Sequence, residues 1–190
     1  MAEQTELHPL NRSWTLWYDS PSTYNASNWE LSLIPIMTVK TVEEFFAMLK
    51  FLKPMHALRT SSQYHFFQEG VKPMWEDSAN AKGGKIIITI ESSKNEKLDA
   101  HGVEKTELDS TWETTMLSVI GECLESDDLE AEPQIVGAVM AKRKYQNRLA
   151  IWVKDAGATE AIESIKNKLK QTITLPEGVT AVFSKHGEKS

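Results

Sequence analysis

The chain has one cysteine in 190 residues, Cys123, so no internal disulfide can form. That cysteine falls in a helical pattern over residues 112–124, which suits core packing in a reducing compartment. No apolar run approaches the length of a membrane span. The opening residues 1–11 are polar and lack the apolar stretch of a signal peptide, and the sequons at Asn11 and Asn25 would matter only in a secreted protein. There is no phosphate loop, no nucleophile elbow and no His-Glu-x-x-His, and the five histidines have no metal-ligand spacing. Neither catalysis nor a metal or other cofactor is therefore expected. Gly83-Gly84-Lys85 precedes a strand rather than a helix, so the helix-terminus route to phosphate binding fails; the glycines suit a close approach to the strand. With 21 Lys and Arg against 27 Asp and Glu, the net charge of −6 argues against a broad basic surface for nucleic acid. An anionic ligand has to be met locally.

What is present is enough for one domain over residues 1–190, with 41% hydrophobic residues to fill a core and tails at about 1–7 and 185–190. Alternation predicts strands over residues 12–18, 28–34, 64–67, 85–90, 134–143, 148–154 and 179–184, the fifth and sixth forming a hairpin. In the second hairpin strand Leu149, Ile151 and Val153 pack, while Arg148, Ala150 and Trp152 face something polar. Capping boxes at Thr41/Glu44 and Ser110/Glu113 open two helices, the second with Leu117, Ile120 and Leu124 on one face. A third helix runs over 159–171. Residues 91–109 are polar, without apolar periodicity, and read as an extended loop. Single helices among neighbouring antiparallel strands make this an α+β fold with helices on one face.

Two features stand out against that frame. Six tryptophans occur, at 14, 17, 29, 75, 112 and 152, and Trp75-Glu76-Asp77 sits in a loop after Pro73 where a large indole is out of place. Residues 142–148, Lys-Arg-Lys-Tyr-Gln-Asn-Arg, are the densest basic stretch. Taken singly, each tryptophan is more often core than a ligand plate, and a basic hairpin more often a solvated face.

The blocks His8-Pro9-Leu10 with Trp14 and Trp17, Trp29, Thr41-Val-Glu-Glu-Phe-Phe46, Pro73-Met-Trp-Glu-Asp77, Gly83-Gly84, Trp112, Ile120-Gly-Glu122, Gly137-Ala-Val and Ile151-Trp152 together resemble the eukaryotic translation initiation factor 4E family of cap-binding proteins, over about residues 8–184. The resemblance implies a curved antiparallel sheet of about eight strands, shaped like a cupped hand, with three helices on its convex back. It also implies a non-catalytic, monomeric, cytoplasmic protein, with a nuclear pool also open, that holds the 7-methylguanosine cap of mRNA. By that resemblance Trp29 and Trp75 stack on the base, Glu76 reads its Watson-Crick edge and Trp152 meets the methyl group. Lys85, Arg143 and Arg148 match phosphate-binding positions, and Lys144 stands beside Tyr145, which replaces a phosphate-contacting lysine. The chemistry is apt, because methylation leaves a delocalised positive charge on guanine that an indole on each face attracts, and a carboxylate accepts two charge-assisted hydrogen bonds from the base edge.

On the convex surface His8, Pro9, Leu10, Val42, Phe46, Trp112 and Leu117 match the family's binding site for a Tyr-x-x-x-x-Leu helix of the scaffold subunit and of competing proteins. Phe46 replaces a tryptophan there, and Glu113 and Thr114 replace an apolar residue and an acid. Those departures motivate a second reading, a cap-binding repressor or specialised paralogue with weak scaffold binding. A metal-dependent cap hydrolase using Glu76 and Asp77 is the remote alternative, since two adjacent carboxylates lack further ligands.

Overall fold

A computed structural model describes residues 6–25, 27, 29–92, 106–128, 130–173 and 179–187, with the side chain of Trp29 outside the description. Its strands are β1 (Pro9–Asp19), β2 (Ile34–Thr41), β3 (Gln63–Gln68), β4 (Gly84–Glu91), β5 (Ile135–Ala141), β6 (Gln146–Val153) and β7 (Ala181–Lys185). Its helices are α1 (Val42–Phe51), α2 (Glu107–Ile120) and α3 (Thr159–Thr172). The strands form one curved antiparallel sheet in the order β2-β1-β3-β5-β6-β4-β7, of seven strands where about eight were expected. No helix among the described residues is long and apolar enough to cross a membrane.

Period-two alternation divides each long strand between two environments. Ile86, Ile88 and Ile90 of β4, Leu149, Ile151 and Val153 of β6, and Trp14, Leu16 and Phe66 of β1 and β3 are at most 7% exposed. They pack under the helices with Phe45 and Met48 of α1, Trp112, Met116 and Val119 of α2, and Ile162, Ile165 and Leu169 of α3. Each such side chain contributes about 1.5–3 kcal/mol by leaving water. The opposite face carries only a small apolar cluster of Phe67, Val139 and Ala150, with Trp152 and Val71 against it. That face stays open and holds the polar residues of β3, β4 and β6.

Several expectations need correction. Residues 29–32, expected at the start of a strand, form a short 3-10 helix (Trp29–Ser32), and pairing with β1 begins only at Ile34 opposite Tyr18. Alternation misleads there because Ser32, not Leu31, is buried. Its hydroxyl accepts from the Asn25 amide at 2.8 Å, while Leu31 is 65% exposed. The second capping box is Thr106 with Asp109, one turn before the expected Ser110 and Glu113. That start turns Leu108, Thr111, Trp112, Thr115 and Met116 inward and leaves Leu117 exposed. Glu91 ends β4 and residues 107–109 open α2, so only part of the expected 91–109 loop remains, and its residues 93–105 lie outside the described ones. The expected tail at 185–190 loses its first members, since Lys185 closes β7; residues 1–5 and 188–190 lie outside the description.

The double glycine has a steric cause. A Cβ on Gly83 would lie 2.0 Å from the Val153 carbonyl oxygen, and one on Gly84 would lie 2.5 Å from the Phe183 ring and 2.7 Å from the Ser184 carbonyl oxygen. The expectation of a close approach holds. Gly84→Val should therefore cost about 1–3 kcal/mol or more through overpacking between β4 and β7, read as a lower urea midpoint; an unchanged midpoint would contradict it.

Candidate functional site

The open face of the sheet forms the floor of a cavity of about 440 Å³, within the range of small-molecule sites. β3 contributes Gln63 and His65, β5 Val139 and Ala141, β6 Arg148, Ala150 and Trp152, and β4 Lys85 and Ile87. Arg143 enters from the β5–β6 turn, Ser184 and Lys185 from the end of β7, and His186 and Gly187 from just beyond it. One wall is the loop after β3, through Pro73, Met74 and Trp75. Four cationic side chains, Lys85, Arg143, Arg148 and Lys185, thus line the cavity with no carboxylate among the lining residues. In a chain of net charge −6 this is the locally positive concavity that an anion needs, and low-dielectric walls focus its field.

The loop that carries Trp75 is built by its own polar side chains. Gly70 takes a left-handed φ of +87° to leave β3. The buried Asn80 donates to the carbonyls of Lys72 at 2.8 Å and Met74 at 2.7 Å, and Asp77 accepts from the amides of Lys72 and Ala79. Asp77 is thereby a loop staple, and among the described residues no acid or histidine cluster could hold a metal ion. Trp75, so presented, is 55% exposed, and no aromatic ring among the described residues packs on it. Lys72 also forms an ion pair with Glu30, which ties this loop to the 3-10 helix bearing Trp29. Both partners are exposed, so the link orients more than it stabilises.

Trp152 has the opposite setting. Its indole meets Phe67 edge-on at 5.3 Å and lies 4.2 Å from the His186 ring. Burial, reinforced by the nearby Lys85 ammonium, lowers the His186 pKa from 6.5 to about 4, so its imidazole is neutral near pH 7. The unfolded chain takes up a proton near 6.5 that the folded chain refuses until about 4. This stabilising contribution is therefore complete above about pH 6.5 and is lost as pH falls towards 4. His186→Gln should flatten the pH dependence of the urea midpoint across that window; an unchanged slope would contradict the burial of a neutral imidazole.

Arg143 is the most firmly held of the cations. Its amide donates to Asn147 Oδ1 at 2.9 Å, its carbonyl accepts from Ser92 Oγ at 3.1 Å, and its guanidinium donates to the Lys142 carbonyl at 3.1 Å and to Gln63 Oε1 at 3.0 Å. Burial pulls its pKa down while Asp19 opposes the shift; an arginine remains charged regardless.

Of the residues singled out from sequence, the structure gathers Trp75, Lys85, Arg143, Arg148 and Trp152 in one cavity. Glu76 is exposed beside Trp75 and is not among the lining residues. Lys144, in the turn between β5 and β6, is also outside the lining, its ammonium 5.0 Å over the Tyr145 ring. Trp29 is placed by its backbone alone. Sequence reasoning missed Gln63, His65, Lys185 and His186. The first two were within reach, since Gln63, His65 and Phe67 are the odd positions of a strand whose even positions, Tyr64 and Phe66, are core.

On the helix-bearing side, His8 pairs with Glu43 through its ring, at 2.6 Å, and its amide, at 3.0 Å, fixing the start of β1 to α1. Pro9 is exposed, Leu10 and Val42 are half-buried, Phe46 is 53% exposed and Leu117 39%. Trp112 is only 2% exposed, so it underlies this surface as core and offers a partner almost no area.

Residues 9–190 match the family model described as eukaryotic initiation factor 4E. Eukaryotic translation initiation factor 4E of Saccharomyces cerevisiae is 36% identical over 179 residues, covering 94% of this chain and 76% of that one. The fold superposes on Ascaris suum eIF4E-3, solved as a complex with an m2,2,7G cap, with a TM-score of 0.81 and 29% identity over 97% of this chain and 94% of that one. C. elegans eIF4E-3, solved with the 4E-binding protein Mextli, gives a TM-score of 0.79 at 28% identity over 95% of this chain and 94% of that one.

Proposed function

The chain belongs to the eukaryotic initiation factor 4E family, and from that membership we propose that it binds the 7-methylguanosine cap of mRNA in the concave cavity and recruits a scaffold subunit for translation initiation. The observation that carries this reading is a cationic, carboxylate-free cavity in an acidic protein, walled by an exposed indole. A cap presents a cationic base and an anionic triphosphate, and the cavity offers an aromatic plate for the first and four cations for the second.

In this reading Trp75 and Trp29 stack on the two faces of the base, each contributing about 1–3 kcal/mol. Glu76 accepts from the base edge, Trp152 meets the methyl group, and Arg143, Arg148 and Lys85 hold the phosphates. Lys144 sits apart and contributes at longer range. The Ascaris suum complex with a methylated cap supports the ligand class, and the C. elegans complex with Mextli supports a binding-protein partner. For this chain the partner surface is the strip of exposed Pro9, Phe46 and Leu117 with half-buried Val42 on the helix-bearing side, which suits the apolar face of a helix. The protein acts in the cytoplasm as a binding factor rather than an enzyme.

The reading is tested on immobilised 7-methyl-GTP. The protein should be retained and then released by free 7-methyl-GTP but not by an equal concentration of GTP. Passage without retention, or equal release by both nucleotides, would refute it.

A further inference from the structure

Behind Arg143 a line of polar groups, the half-buried Gln63 and the buried Asp19 and His65, runs across the cavity floor. Gln63 Oε1 accepts from the Arg143 guanidinium at 3.0 Å, and Gln63 Nε2 donates to Asp19 Oδ2 at 2.8 Å. The same Asp19 oxygen meets His65 Nε2 at 2.9 Å. β1 and β3 set this spacing, since Asp19 pairs opposite Gln63 and Trp17 opposite His65. Asp19 and His65 are 6% and 3% exposed.

The orientation of the Gln63 amide follows from its neighbours. A guanidinium has only donors, so the amide oxygen must face it, and an ionised carboxylate only accepts, so the NH2 group must face Asp19. The amide therefore stands between anion and cation. Among the described residues Arg143 makes no ion pair, and its guanidinium spends two of its five N–H groups on the protein, on Lys142 and Gln63. A carboxylate in place of the amide would form a charge-assisted pair with Arg143 and offset its charge in the cavity.

We propose that Gln63 is a positioning residue that holds Arg143 rigidly while keeping the Asp19 charge one residue away, so that the guanidinium remains available to a polyphosphate. The inference rests on the cap-binding reading for the identity of the ligand, but its electrostatic content concerns phosphate alone.

The test is the double variant D19N/Q63E, which moves one carboxylate from behind the amide onto Arg143 without changing net charge. Inorganic tripolyphosphate, 7-methyl-GTP and the nucleoside 7-methylguanosine are titrated against it and against the parent protein. Tripolyphosphate and 7-methyl-GTP should each bind about tenfold more weakly, and the slope of log affinity against log salt should fall by about one. Nucleoside affinity should be unchanged, which also reports an intact cavity. Unchanged tripolyphosphate affinity and salt slope would overturn the inference. Gln63→Met, which adds no charge, releases Arg143 without neutralising it and should weaken tripolyphosphate by about threefold with the salt slope unchanged. A loss in Q63M as large as in D19N/Q63E would overturn the neutralisation argument. If the double variant does not fold, Q63M alone decides: unchanged tripolyphosphate affinity would overturn the positioning role, and a loss with the salt slope retained would support it. Failure of the parent protein to prefer 7-methylguanosine over guanosine would refute the cap reading instead and leave the tripolyphosphate comparison standing.

Discussion

Trp75→Ala should weaken 7-methyl-GTP binding by about 10- to 100-fold and remove most of its preference over GTP, because a desolvated cation-π stack is worth about 2 kcal/mol and each 1.4 kcal/mol is about tenfold. The indole is 55% exposed and touches no other ring among the described residues, so its removal should move folding stability by no more than about 0.5 kcal/mol. Large binding loss with small stability loss is the pattern of a ligand plate. Titration calorimetry with both nucleotides, alongside a urea melt, separates the two quantities. A Trp75→Ala protein that still discriminates the methyl group would remove this residue from the site.

Trp112→Ala should behave in the reverse way. The side chain is 2% exposed and packs in the core beneath α2, so truncation should cost about 3–5 kcal/mol, while leaving cap affinity in the folded fraction unchanged because α2 lies on the far side of the sheet. Its indole Nε1 is buried without a hydrogen-bond partner among the described residues. Trp112→Phe, which removes that orphan donor along with some volume, should cost far less than Trp112→Ala. Any loss of partner binding in Trp112→Ala would then follow the loss of fold, whereas Phe46→Ala, at a 53% exposed position, would act on the proposed partner surface itself. Equal stability of Trp112→Ala and the parent in denaturant would contradict the core placement.

Much of this was legible in sequence, and the reasons differ by residue. Thr41 with Glu44 forms the expected capping box, and Leu149, Ile151 and Val153 pack while Arg148 and Trp152 face the cavity, because capping and alternation are local rules. The start of α2 differs because two adjacent boxes compete, and burial of Leu108 with the His56–Asp109 contact, at 2.5 Å, selects the earlier one. Trp112 matched a partner position by resemblance, but resemblance carries no burial. Alternation in β3 puts Gln63 and His65 on the cavity face, but the nearness of Gln63 to Arg143 and of His186 to Trp152 depends on strand order, β3 beside β5 and β7 beside β4, which no local pattern encodes. The Asp19–Gln63 pairing that governs Arg143 links residues 44 apart in sequence.

Cap binding of the proposed kind requires that a cationic purine, rather than purines in general, fit against the Trp75 indole. Tryptophan fluorescence titrated with 7-methyl-GTP and with GTP in the same buffer tests it most directly. The methylated nucleotide should quench strongly, at an affinity at least about tenfold above that for GTP. Matching curves for the two nucleotides would contradict the claim.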